Sequence, residues 1–127
     1  MKGYCQDIEK ATEKNSYFRQ VLYTGKYCQL VVMCLKPGEA IGMEVHHTVD
    51  QFFRFEEGEG KVVIDGTEYK VKGDFAVIVP AGSQHNVINT STEEELKLYT
   101  IYSPPNHPDG TVHKTKEEAE KYEAAHH

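Results

Sequence analysis

Gly73-Asp74-Phe75-Ala76-Val77-Ile78-Val79-Pro80-Ala81-Gly82-Ser83-Gln84-His85-Asn86-Val87-Ile88-Asn89 reads as two short strands joined by a turn. Phe75 to Val79 is rich in β-branched and aromatic residues, Pro80-Ala81-Gly82 has the composition of a tight reversal, and His85 to Asn89 returns as the second strand. The returning strand opens on a histidine, a side chain with ligand chemistry.

The same texture continues on both sides. Phe18 to Tyr23, Tyr27 to Leu35, Gly42 to His47, Gln51 to Glu56, Lys61 to Asp65, Thr67 to Val71 and Leu96 to Tyr102 are all short and bounded by Gly, Pro, Asp or Ser. Asp65-Gly66, between Val62-Val63-Ile64 and Glu68-Tyr69-Lys70-Val71, predicts a two-residue hairpin turn with positive φ at both central positions. Many short strands at close spacing predict an all-β sandwich or barrel. Glu9 to Asn15 is polar and carries little apolar surface, so at most a short turn of helix is expected in the N-terminal arm, residues 1–17. Lys114 to Ala125 is rich in helix formers, and Thr115 is placed to cap it. The segment Tyr27 to Leu35 is apolar at both parities, as expected of a strand covered on both faces. In a chain of 127 residues the second cover is expected to come from another subunit, which predicts a homodimer with the Phe18-to-Leu35 hairpin at its interface.

Composition narrows the function. Twenty acidic against 14 basic side chains give a formal charge of −6, which disfavours a nucleic-acid backbone as partner. No apolar run approaches the ~20 residues that span a bilayer, and Met1 to Asp7 lacks the apolar stretch of a signal peptide, so no membrane contact and a cytoplasmic location are expected. Cys28 and Cys34 would lie roughly 20 Å apart in an extended strand, against a disulfide limit of about 7 Å, so the three cysteines are read as unpaired. His126-His127 is either a natural pair or the remnant of an expression tag and carries no functional reading. Length and composition fit one domain over 1–127.

A second polar group lies in the segment Gly38, five residues, Glu44, one residue, His46, four residues, Gln51, six residues, Gly58. Residues i and i+2 of a strand share a face, so Glu44 and His46 project together. Gln51 shares parity with Phe53 and Phe55 and is expected to point inward with them. His47 has the opposite parity to His46 and is expected to face out unless a bulge exchanges the two.

These two segments resemble the paired motifs of the cupin superfamily, G-x5-H-x-H-x3,4-E-x6-G and G-x5-P-x-G-x2-H-x3-N. The second is matched at Pro80, Gly82, His85 and Asn89, with one additional residue between Gly73 and Pro80. The first has Glu44 in place of a histidine and Gln51 in place of a glutamate. The flanking stretches, Phe18 to Gly38 and Leu96 to Lys114, look like the small cupins grouped as mannose-6-phosphate isomerase-like. The resemblance implies a double-stranded β-helix, the jelly-roll barrel, with motifs over 38–89 and a C-terminal loop and short helix over 103–125. It also implies a divalent metal ion on Glu44, His46 and His85, with Gln51 as a fourth ligand or as a hydrogen-bonding residue behind the others. Two imidazoles and a carboxylate suit Fe, Mn, Zn, Ni or Co. Three functions are compatible with such a site. They are isomerase- or lyase-type chemistry on a sugar-like or hydroxyacid substrate, Fe(II)-dependent dioxygenase chemistry, and small-ligand binding without catalysis. His107 and His113 are read as residues of a surface loop, and Tyr99 or Tyr102 as the tyrosine that faces the barrel.

Overall fold

The computed structural model describes residues 2–126. Its elements are helix α1 (Ile8–Lys14), strands β1 (Arg19–Thr24), β2 (Gln29–Leu35), β3 (Glu44–Val45), β4 (Asp50–Glu57), β5 (Glu59–Ile64), β6 (Thr67–Lys72), β7 (Ala76–Val79), β8 (Gln84–Asn89), β9 (Leu96–Ser103) and β10 (Val112–His113), and helix α2 (Lys116–Ala125). A six-stranded sheet in the order β10-β1-β2-β9-β4-β7 faces a four-stranded sheet in the order β3-β8-β5-β6. Every pairing between strands is antiparallel. Alternation builds the core: Val31, Met33, Leu35, Phe53, Phe55, Leu96 and Leu98 of one sheet bury against Val62, Val71 and Val87 of the other. Phe53 and Phe55 lie two apart on one face with stacked rings, centroids 6.3 Å apart.

Local chemistry explains the turns. Asp65 (φ 48°) and Gly66 (φ 85°) both take positive φ at the β5–β6 hairpin, as the Asp-Gly pair predicts. At the β7–β8 turn the Ser83 amide donates to the Pro80 carbonyl at 3.1 Å, with Gly82 at φ 90° in the position where a type II turn requires it. Thr115 caps α2, its hydroxyl accepting from the Glu118 amide at 3.1 Å.

Three expectations are corrected. The N-terminal arm holds a helix of seven residues capped by Asp7, and its Thr12 is fully buried. Its polar sequence hid this because the helix is held by packing on β2, β4 and β9 rather than by its own propensity. The Gly42-to-His47 run narrows to a two-residue strand, and β10 was not foreseen because two residues carry no periodicity. Finally, β2 is covered on both faces within the chain. Val31, Met33 and Leu35 enter the core, while Val32 and Cys34 are buried on the other face, the one over which α1 lies. Burial pushes the Cys34 thiol up to about 12. The Phe18-to-Leu35 hairpin is interior to its sheet, so the expectation of a dimer loses the support that strand gave it. Cys5, Cys28 and Cys34 are all unpaired.

Asn89, the last residue of the second motif, is structural. Its Nδ2 donates to the carbonyls of Leu35 (3.0 Å) and Glu94 (2.8 Å), and its Oδ1 accepts from the Ser91 amide (2.9 Å), tying β2, β8 and the β8–β9 loop at one point. Asn89→Ala leaves those backbone groups without this partner and is expected to cost about 3 kcal/mol. Urea unfolding checks this, and a loss below about 1 kcal/mol would show that water replaces the amide.

Candidate metal centre

Register brings the polar residues together. Glu44 on β3 is the direct cross-strand partner of His85 on β8, so the two side chains share a face. His46 follows β3 immediately, and its carbonyl accepts from the Gly82 amide at 2.8 Å, which fastens this segment to the β7–β8 turn. The Asp50 carboxylate accepts from the Ala81 amide and the Asp65 carboxylate from the Gln84 amide, both at 2.9 Å, so the turn carrying His85 is held at both ends.

The result is one cluster. Glu44, His46 and His85 each offer a ligand atom, and these atoms lie within 4.8 Å of one another. His46 Nε2 is 3.8 Å from Glu44 Oε2, and among the described residues it is buried without a hydrogen-bond partner. The His85 Nδ1 lies 3.2 Å from the Ser83 carbonyl, an arrangement in which Nδ1–H donates and the Nε2 lone pair is left free. Burial lowers both imidazoles, His46 to about 4 with help from neighbouring His85 and Arg19, so both are neutral at pH 7 with lone pairs available. Burial raises the Glu44 carboxyl, and the Arg19 guanidinium opposes that rise. Neutral imidazoles, a partly desolvated carboxylate and an orphaned buried nitrogen fit a divalent cation, which would supply the missing partner and hold the carboxylate ionised.

Gln51 points inward, as its parity predicts, but from the opposite sheet. Its Nε2 donates to Thr100 Oγ1 at 3.0 Å, and its Oε1 is buried without a partner. His47 is exposed, in agreement with its parity. Arg54 lies on the outer face, paired with Glu56 and Asp74.

The choice between the two tyrosines is resolved, and the surface reading of the two loop histidines is corrected. Tyr102 is the barrel-facing tyrosine, with its ring 5.8 Å from that of His46, while Tyr99 packs on Phe52. His107 is not a free surface residue. Its Nε2 lies 3.2 Å from the Tyr102 hydroxyl, and the loop is clamped by Gln29, whose Nε2 donates to the His107 carbonyl while its Oε1 accepts from the Asn106 and His107 amides. His113 is buried in β10. Arg19 was missed altogether: it is 2% exposed, and its only signal is that it shares strand parity with buried Val21. An open groove of about 540 Å³ runs along β5 and β6 and a second of about 350 Å³ along β6 and β7, both touching Val71 and Phe75 and neither lined by Glu44, His46 or His85.

The buried histidines set an acid sensitivity. Burial lowers His107 to about 3, with Arg19, His46 and His113 adding to the effect, and it lowers His46, His85 and His113 as well. A base whose folded pKa lies below its unfolded value of about 6.5 contributes stability that is complete above 6.5 and is lost as pH falls toward the folded value. Glu44 and Glu56, raised from 4.5 by burial, act in the opposite direction at the acid end. The urea midpoint of metal-free protein is therefore expected to fall from pH 7.5 to pH 5, with protons taken up on unfolding. An unchanged midpoint would mean that these imidazoles titrate normally.

The Cupin domain family matches residues 31–102, more than half of the chain. The chain belongs to the cupin family. It is 48% identical over 124 residues to Uncharacterized protein YrkC of Bacillus subtilis (strain 168), covering 93% of this chain and 66% of that protein. It is 40% identical over 113 residues to an uncharacterized protein of Acanthamoeba polyphaga mimivirus, covering 86% and 70%. The crystal structure of BH2720 from Bacillus halodurans superposes with a TM-score of 0.92 at 43% identity, covering 94% of this cupin and 95% of that chain. This cupin thus spans about two thirds of the length of these two relatives. Among its described residues no helix is long and apolar enough to cross a membrane.

Proposed function

We propose that this cupin holds one divalent metal ion on Glu44, His46 and His85 and acts on a small oxygenated molecule in the barrel. The chemistry assigned is of isomerase or lyase type, on a sugar-like or hydroxyacid substrate, in keeping with the likeness to mannose-6-phosphate isomerase-like cupins. The observation that carries this reading is the His46 Nε2, buried and unpartnered between a carboxylate and a second imidazole. The ion supplies Lewis acidity at a substrate carbonyl or hydroxyl oxygen. The chain supplies the rest. Tyr102, whose phenol burial keeps protonated, lies 3.2 Å from the neutral His107 Nε2, and the two shifts hold the proton on the phenol, so this chain's contribution there is a neutral hydrogen-bond donor that orients a substrate oxygen. Gln51 is assigned to the layer behind the ligands, because its amide nitrogen is engaged by Thr100 and it stands on β4 directly opposite Tyr102.

The test is elemental analysis of protein freed of any tag, alone and after reconstitution with Fe(II), Mn(II), Co(II), Ni(II) and Zn(II). Near one ion per chain is expected, and no binding of any of the five would sink the reading. A two-histidine, one-carboxylate set is also the donor set of Fe(II) oxygenases, so the second reading is oxygen chemistry. Substrate-dependent oxygen uptake confined to the Fe(II) form would select it, whereas turnover under nitrogen with Mn(II) or Zn(II) selects the first.

A further inference from the structure

Beside the metal cluster lies a second group of polar atoms that the proposed function does not use. Arg19 of β1 and His113 of β10 are direct cross-strand partners, so their side chains leave the sheet on the same face. Both are buried. Among the described residues, the Nε and Nη1 of Arg19 and the Nδ1 of His113 are buried without hydrogen-bond partners. Three unpartnered nitrogens from two neighbouring residues are a cost that folding alone does not repay, because a buried cation needs both charge balance and acceptors. The Phe18 ring beneath the guanidinium, 5.2 Å away, provides no acceptor. The charge balance present is loose: Glu123 of α2 places Oε1 3.6 Å from Nη1, outside hydrogen-bond reach, and its side chain is 53% exposed.

We propose that Arg19 and His113 form an oxyanion-binding subsite that anchors the carboxylate or phosphate group of a small substrate next to Glu44, His46 and His85. The proposal rests on the metal reading for the position of the reacting oxygen, and on the orphaned nitrogens for the anion. The guanidinium is planar and presents five donors in a fork that matches a carboxylate or phosphate group. It acts electrostatically on Glu44, His46, Tyr102 and His107 alike, which places its charge at the same end of the barrel as the cluster. An oxyanion on Arg19 therefore leaves a neighbouring hydroxyl or carbonyl oxygen of the same molecule facing the metal ligands and Tyr102. Glu123 holds the place of that oxyanion in the free protein. It is a carboxylate near the guanidinium but too far to bond it, on a terminal helix whose buried anchor is Ala119.

The experiment is calorimetric titration of glycolate and, separately, inorganic phosphate into metal-free and Mn(II)-loaded protein, with metal content measured on each sample. Wild type is compared with Arg19→Gln, Arg19→Lys and Glu123→Gln. Arg19→Gln is expected to weaken binding at least tenfold with manganese stoichiometry unchanged, and Arg19→Lys to recover only part of the loss because it keeps the charge without the fork. Glu123→Gln removes a competing carboxylate from an exposed position and is expected to tighten binding several-fold. If glycolate binds more tightly than phosphate the anchored group is a carboxylate, and the reverse order assigns a phosphate. Equal affinity in wild type and Arg19→Gln overturns the subsite while leaving the metal reading intact. Should the Arg19 variants fail to fold, an unchanged affinity in Glu123→Gln overturns it instead. Wild type that takes up no manganese yet binds phosphate in an Arg19-dependent manner would sink the metal reading and uphold the subsite.

Discussion

His46→Ala and His85→Ala are each expected to reduce bound metal from near one ion per chain to background after a single dialysis. A structural zinc site is worth about 10–16 kcal/mol over four donors, so each donor contributes about 2.5–4 kcal/mol, or roughly 10²–10³-fold in affinity. Glu44→Gln should behave similarly, since it removes the one carboxylate of the set and with it the charge that offsets the ion's own. Gln51→Ala should lose no more than tenfold to a hundredfold, the range for a residue that acts through the ligands. Gln51→Glu is expected to leave metal affinity within tenfold of wild type, because the residue stands behind the ligands against Thr100 and Tyr102, and a larger gain would show that its Oε1 reaches the ion. The thermal readout follows from mass action. Saturating metal at about 100 times its dissociation constant stabilises wild type by about 2.7 kcal/mol, and neither histidine variant should show that gain. Retention of stoichiometric metal in both histidine variants would place the site elsewhere.

The parts of this site legible in the sequence are those fixed by period and turn chemistry. Strand parity placed Gln51 with Phe53 and Phe55 on the inner face and Arg54 on the outer, and all four take those sides. The i, i+2 spacing of Glu44 and His46 holds even though β3 ends at Val45, because the chain stays near the β8 turn through the bond from the Gly82 amide to the His46 carbonyl. Asp65-Gly66 and Pro80-x-Gly82 announced their turns because few residues take the required φ.

What stayed hidden depends on partners distant in sequence. Nothing local in Lys97 indicates that its ammonium reaches the Glu13 carbonyl and so helps hold α1 on the sheet. Nothing in Gln29 indicates that its amide clamps residues 106 and 107, and without that clamp His107 would read as a surface histidine. Arg19 is the sharpest case. An arginine in a β-rich run is ordinarily solvated, and only the arrival of β10 on one side and α2 above it makes this one buried.

Gly60→Ala is expected to destabilise the fold by about 3 kcal/mol, and Gly58→Ala by about 4 kcal/mol, against a total of about 5–15 kcal/mol for a domain of this kind. A Cβ on Gly60 would sit 2.5 Å from the Ile88 carbonyl oxygen and 2.8 Å from Leu96 Cδ2, and the first of these is backbone in a paired strand. At Gly58 the Cβ would collide with the Glu95 carbonyl oxygen and lie 3.0 Å from Leu96 Cα, and φ of 95° adds strain for any L side chain. Gly66→Ala is the control that separates the two causes. Gly66 has φ 85° but nothing within 4 Å, so its substitution should cost only the conformational strain, about 1 kcal/mol. Gly38, the other end of the first motif, is likewise open at φ 78°, so the two motif glycines are required for different reasons. Gly38 makes a turn, while Gly58 lets β4 turn into β5 directly beneath the start of β9. Urea unfolding of the four Ala variants at constant m-value should rank them 58, 60, then 66 and 38 together. A Gly60→Ala protein within 0.5 kcal/mol of wild type would show that β8 and Leu96 yield to the added methyl, and that the close approach of the strands is not what fixes glycine there.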